Sequence, residues 1–274
     1  MFALNFARRA GLIASVLTVL FGLAACSTTV ATAPATAAAP TDAPPKALLW
    51  AGNSFFYYNN SMHGHVGAML GATGVKGVRQ TSVTISGAGI NWHDLASYFK
   101  PGGMASYSFV ANNEVVFNTF DRPYDAVMMM DCSQCPIHPQ LKPIFFDTAR
   151  KHAATARANG AQPMLFMSWA YQDKPEMTDQ LAAEYIVAGR ENKALVVPAG
   201  LAFAKSIAKR PDINLYASDK RHPSLAGTYL GAAVVLATVF KMSPVGISYT
   251  AGLAPDVAQH LQNTAWETVQ NFKP

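Results

Sequence analysis

Charge is scarce in this chain. Only 14% of its 274 residues are Asp, Glu, Lys or Arg, and the 21 basic residues are scattered, with no run of them. A nucleic-acid partner requires a concentrated basic face to meet the phosphates, so the composition argues against one. Cysteine is scarcer still, with Cys26, Cys132 and Cys135 alone. No second ligand pair stands at suitable spacing from Cys132 and Cys135, which makes zinc the weakest reading of that pair. Internal repeats are absent too, so the chain is not a stack of like units.

The N-terminus is the part that lacks acids. Met1 to Arg9 holds Arg8 and Arg9 and no carboxylate, and Ala10 to Ala25 is an unbroken run of apolar and small residues. A basic start, a stretch too short to span comfortably and small residues before a cut site describe a secretory signal over 1–25. Leu23-Ala24-Ala25-Cys26 resembles the bacterial lipobox, whose cysteine receives lipid and becomes the new N-terminus. An ordinary signal with a chance cysteine, or an N-terminal membrane helix, are the alternatives. The lipobox resemblance implies a lipid-anchored envelope protein, and Ser27 beside the cysteine implies the outer membrane, facing the periplasm. Residues 26–45 are almost wholly Ser, Thr, Ala, Pro and Val, too poor in apolar bulk to fold, and read as a disordered tether. Losing Arg8 and Arg9 with the signal leaves 19 basic against 16 acidic residues, a net charge of +3. The remainder, 46–274, is long enough for one domain with a substantial core.

Within that domain short apolar runs alternate with helical patterns. Strands are expected at 47–51 (ALLWA), 78–86, 114–120 (EVVFNTF), 124–131 (YDAVMMMD), 162–170 (QPMLFMSWA) and 193–200. Helices are expected at 60–71, 91–99, 141–159, 177–191, 201–210, 225–241 and 255–271. Gly160 is a good stop for the third of these. The continuous apolar run Val127 to Met130 is what a strand covered on both faces needs. Strands alternating with helices predict an α/β fold, a three-layer α/β/α sandwich with a parallel sheet. Ligands of such sheets sit beyond the carboxyl ends of the strands. That places Gly52-Asn53-Ser54, Gly87-Ala88-Gly89, Asp131 to Pro136 and Trp169-Ala170-Tyr171 at the functional edge.

A serine becomes a nucleophile only when a base takes its proton and a third group orients that base. Ser54 stands at a strand end. Asp219-Lys220-Arg221-His222-Pro223 supplies a carboxylate three residues before a histidine, on a loop that Pro223 turns into a helix start. Either block alone has a plain structural explanation, since Asn and Ser suit turns and caps and Asp219 could cap the next helix.

Gly52-Asn53-Ser54-Phe55 resembles the first block of the SGNH, or GDSL-type, serine hydrolases, with Asn in place of the block's Asp. Asp219-Lys220-Arg221-His222-Pro223 resembles their last block, Asp-x-x-His-Pro, and the order along the chain agrees. The resemblance spans roughly 46–242 and implies the family's flavodoxin-like layered fold. It also implies Ser54 as nucleophile, His222 as general base and Asp219 as its orienting partner, with no metal or organic cofactor. For the oxyanion it implies the N–H of Ser54 and that of Gly87, with Gly89 in reserve. Each such donor is worth about 2.7–4 kcal/mol. The family's third donor is an asparagine after the third strand. This chain departs from that pattern with Met-Asp-Cys-Ser-Gln-Cys-Pro, and Gln134 is the substitute, as in a GNSF-type branch of the family. The substrate implied is an ester, on a small molecule or as an O-acyl group of a glycan. The rival is a glycan-binding or assembly lipoprotein that keeps the fold without the activity.

Cys132 and Cys135 admit a loop-stiffening disulfide, a redox pair, or zinc, in that order. Asn53 in the first block and Trp169 and Tyr171 at the strand edge are candidates for binding substrate, the aromatics by stacking on a sugar or acyl group. Phe55, Phe56, Tyr57 and Tyr58 divide between burial and the mouth of the site. His63 and His65 lie two apart, on different sides of a helix, and are expected at the surface rather than on a metal.

Overall fold

The computed structural model describes residues 43–274, Asp121 excepted. The expected signal, Cys26 and most of the expected tether lie outside the described residues.

Five strands form one parallel sheet: β1 (Ala47–Gly52), β2 (Arg79–Thr84), β5 (Ala126–Met129), β6 (Gln162–Phe166) and β7 (Leu195–Val197), in the order β2-β1-β5-β6-β7. The helices are α1 (Ser54–Tyr57), α2 (Met62–Ala72), α3 (Leu95–Tyr98), α4 (Lys142–Ala158), α5 (Met177–Glu191), α6 (Ala199–Lys209), α7 (Leu225–Val239) and α8 (Pro255–Asn271). Strand residues alternate between two cores, as a pleat with both faces covered requires. Leu48, Trp50, Met128, Met164 and Phe166 point into one core, with α2, α6, α7 and α8. Leu49, Val127, Met129 and Leu165 point into the other, with α4 and α5. The fold is the α/β/α sandwich expected. Helix α7 is buried from Ala226 to Val239 between the sheet and α8, which explains its apolar character all round. Among the described residues no helix is long and apolar enough to cross a membrane.

Two segments differ from expectation. Residues 91–99 form only a 3-10 turn, Ile90–Trp92, and the four-residue α3. The strand expected at 114–120 exists as β4 (Val115–Phe117), but it pairs antiparallel with β3 (Tyr107–Phe109) in a hairpin outside the sheet. Both of its strands are solvent-exposed, so the apolar run that signals a strand here signals no place in the core.

The chain leaves β1 for β2 on one side and returns to β5 on the other. The strand order therefore reverses between β1 and β5, and a crevice opens at their carboxyl ends, where such sheets bind ligands. Gly52-Asn53-Ser54 and Asp131 lie there.

Candidate active site

Strand β1 ends in glycine because the Phe56 ring occupies the space beside it. A Cβ on Gly52 would come within 2.6 Å of Phe56 Cδ2. Asn53 then caps α1, its Oδ1 accepting from the N–H of Phe55 at 3.1 Å. Its Nδ2 donates to the carbonyls of Ala88 (2.9 Å) and Asp131 (3.1 Å). One buried amide thus ties together the loops after β1, β2 and β5. With its polar atoms so committed and 4% of its surface exposed, Asn53 builds the site and does not face substrate, contrary to the expectation above.

Ser54 opens α1, so its backbone N–H has no partner inside the helix. Its Oγ lies 2.8 Å from His222 Nε2. On the far side of the ring, Nδ1 is hydrogen-bonded to Asp219 Oδ2. A carboxylate only accepts, so Nδ1 carries the proton and Nε2 accepts from the Ser54 hydroxyl. Asp219 Oδ1 accepts two backbone N–H groups, of Arg221 and His222, each at 3.0 Å. Desolvation works to raise the Asp219 pKa, but the His222 hydrogen bond and these N–H groups prevail and hold it at about 2. The imidazole is packed by Tyr58, stacked at 4.2 Å, and by the edge of Phe55 at 5.3 Å.

The loop carrying Asp219 and His222 is pinned at four successive carbonyls. Lys220 O accepts from Gln172 N (3.0 Å), Arg221 O from Trp169 Nε1 (2.9 Å), His222 O from Ala217 N (2.8 Å) and Pro223 O from Asn59 Nδ2 (3.0 Å). Lys220 sits at φ +63°, a left-handed conformation costing on the order of 1 kcal/mol in a side-chain-bearing residue, which these contacts sustain.

Trp169 is wholly buried, stacked between Phe55 (4.8 Å) and Phe203 (4.2 Å). It cannot stack on a substrate; its indole N–H braces the histidine loop instead. Tyr171 is also largely enclosed. Arg221 lies 4.5 Å over its ring, and its hydroxyl meets Ser133 Oγ at 2.6 Å. Tyr171 therefore joins the histidine loop to the loop after β5. The exposed aromatics near this edge are Tyr57, whose hydroxyl meets Ser86 Oγ at 3.1 Å, and Trp92.

Gly87 follows β2 at φ +71°, exposed, with open space where a Cβ would stand. Gly89 is buried, and a Cβ there would meet Asn91 Oδ1 at 2.7 Å and Asp131 Oδ1 at 3.1 Å. Of the two glycines, Gly87 is the open one. Gln134 is partly buried in the turn closed by the disulfide between Cys132 and Cys135. A cavity of about 230 Å³ lies beside Gly87, between Trp92, Asp131 and the disulfide. Larger cavities lie elsewhere, one of them lined by Ala170, Tyr171 and Phe203. Among the described residues, Asp131, Cys132 and Cys135 bring metal-ligating atoms together, but with both sulfurs bonded to each other only one carboxylate remains.

Three buried groups near Ser54 carry no sequence motif. His93 Nε2 donates to the Gly52 carbonyl at 3.0 Å, and burial lowers its pKa, so the ring is a neutral strut under the strand end. His152 Nε2 meets Ile90 O at 3.2 Å in the same way. Asp131 Oδ1 accepts from the N–H groups of Ile90 (2.7 Å) and Cys132 (2.8 Å). Desolvation raises its pKa to about 6 against those two bonds. His65 differs from expectation: it is buried, bonded to Tyr249 Oη and to Asn59 O, and holds α2 in place.

Neither a protein-family model nor a curated protein sequence matches the chain. Solved structures do share its fold. A DUF4886 family protein from Bacteroides uniformis superposes at TM-score 0.57 and 15% identity, over 82% of this chain and 94% of that one. A candidate SGNH hydrolase from Slackia heliotrinireducens does so at 0.53 and 21%, over 70% and 97%. A variant of an acetyl xylan esterase from Geobacillus stearothermophilus does so at 0.52 and 15%, over 76% and 99%. At these identities the likeness establishes the layered α/β fold.

Proposed function

We propose that the protein is a serine ester hydrolase of the SGNH type, held at the cell envelope by a lipid on Cys26. The observation that carries this reading is the chain of hydrogen bonds Ser54–His222–Asp219, drawn from segments 168 residues apart. Ser54 Oγ attacks the ester carbonyl while His222 Nε2 takes its proton. Asp219 holds the ring's tautomer and balances the imidazolium that forms. The negative oxygen is met by the N–H groups of Ser54 and Gly87, with the Gln134 amide as third donor. His222 then protonates the departing alcohol. Water, deprotonated by the same nitrogen, releases the acid from Ser54. The small cavity beside Gly87 suits a short acyl group, and the envelope location suits a glycan O-acetyl ester. The acetyl xylan esterase fold points the same way by analogy.

A fluorophosphonate probe tests the proposal. Labelling of the protein, lost in Ser54→Ala, is expected. A folded protein that never labels and hydrolyses no ester of a short-chain panel would sink it and leave a glycan-binding lipoprotein. Cys26→Ala is expected to release the protein from the membrane fraction.

A further inference from the structure

The β3–β4 hairpin exposes what soluble surfaces usually hide. Tyr107 stands opposite Phe117, and Phe109 opposite Val115, on one face of the ribbon. Phe109 is 72% exposed, Phe117 70% and Tyr107 57%. The opposite face is mixed: Asn118 Nδ2 bonds Ser106 Oγ (3.1 Å) and Ser108 Oγ (3.0 Å), and Val116 stands opposite Ser108. The aromatics therefore gather on one face of the ribbon, and among the described residues Tyr107, Phe109 and Phe117 stay more than half exposed.

Its position in the fold narrows what the cover can be. The N–H groups of Lys46 and Ala47 donate to Asp125 Oδ2, and Arg79 N donates to Lys46 O. The Arg79 guanidinium bonds Pro123 O and lies 3.8 Å over the Phe120 ring, at the hairpin's root. The hairpin thus springs from the end of the sheet where the chain enters β1, and Ser54 lies at the other end. Exposed Lys46 and Lys76 precede β1 and β2 at that end, and exposed Lys100 lines the same cavity as Arg79. Among the described residues the hairpin's own exposed carboxylate is Glu114, fewer than the cations, so a second copy would meet mostly like charge. An anionic lipid surface would meet both the cations and the aromatic face.

We infer that this hairpin face rests on an anionic lipid bilayer. The inference builds on the anchoring of the chain through Cys26, since a tether over 26–45 leads to this same end of the sheet. A tether of that length spans at most about 70 Å and by itself fixes no orientation. The hairpin supplies one, turning Ser54 away from the bilayer.

The test uses the full chain in phosphatidylglycerol-containing vesicles, with an environment-sensitive fluorophore on Phe109→Cys or, at the opposite end, on Trp92→Cys. Mass analysis of the N-terminal peptide reports separately whether Cys26 carries lipid. Far-UV dichroism confirms that both variants fold. A blue-shifted Phe109 probe, quenched by nitroxide lipid several-fold more than the Trp92 probe, is expected. It should weaken when Phe117→Ser is added. A Phe109 probe as wet as the Trp92 probe in a lipidated, vesicle-bound chain overturns the inference. So does a blue shift that appears without vesicles and grows with protein concentration, which would mean self-association. If Cys26 carries no lipid but the Phe109 probe still becomes buried on added vesicles, the lipid surface stands and the anchor falls.

Discussion

His222 is the residue whose surroundings are most completely specified. Its proton position is fixed by Asp219, its plane by Tyr58 and its carbonyl by Ala217. Asp219→Asn should leave the fold intact while allowing the wrong tautomer, lowering kcat by a factor on the order of 10⁴. Ester hydrolysis under saturating substrate measures it. Gln134→Ala should lower kcat by about 10²–10³ with little change in KM, because an oxyanion donor acts in the transition state. An unchanged kcat would assign the third donor elsewhere. The meeting of Ser54, Asp219 and His222 was legible in the sequence because each sits in a short block of distinctive residue types and order. Asn53 and Trp169 were misjudged because position at a strand's end does not reveal burial. Both are turned inward, where an amide and an indole N–H serve as braces. His93, His152 and Asp131 carried no signal, since a lone buried polar residue has no pattern.

At the scale of elements, the pinned loop before α7 is what presents the base. Trp169→Phe keeps the stack between Phe55 and Phe203 but removes the N–H that holds Arg221 O. A loss of about 1 kcal/mol in stability is expected from denaturant titration, together with a fall in kcat at constant KM as the imidazole loosens. The sheet strands were legible because burial on both faces demands runs such as Val127 to Met130. The hairpin was not, because an exposed aromatic ribbon and a buried strand use the same residues. The short turn of α1 was hidden for another reason: four residues are too few to show a helical period.

For the molecule as a whole, the carboxyl of Asp131 links stability to pH. Burial raises its pKa from 3.8 to about 6, so the folded state holds the proton more tightly than the unfolded chain does. Its stabilising contribution is therefore full below about pH 4 and is lost as pH rises through about 6. Asp131→Asn keeps an oxygen for the N–H groups of Ile90 and Cys132 and should flatten the thermal-stability profile over that window. An unaltered slope would show that another group is responsible. The distance along the chain between nucleophile and base has a temporal side as well. A polypeptide emerging from the ribosome, or threading through a translocon, presents its serine long before its imidazole. Until about four fifths of the chain has arrived and docked, there is an alcohol with no imidazole beside it. Under the proposed mechanism chemical competence is withheld until synthesis is nearly complete, and a fragment cut short of residue 222 is expected to hydrolyse no ester.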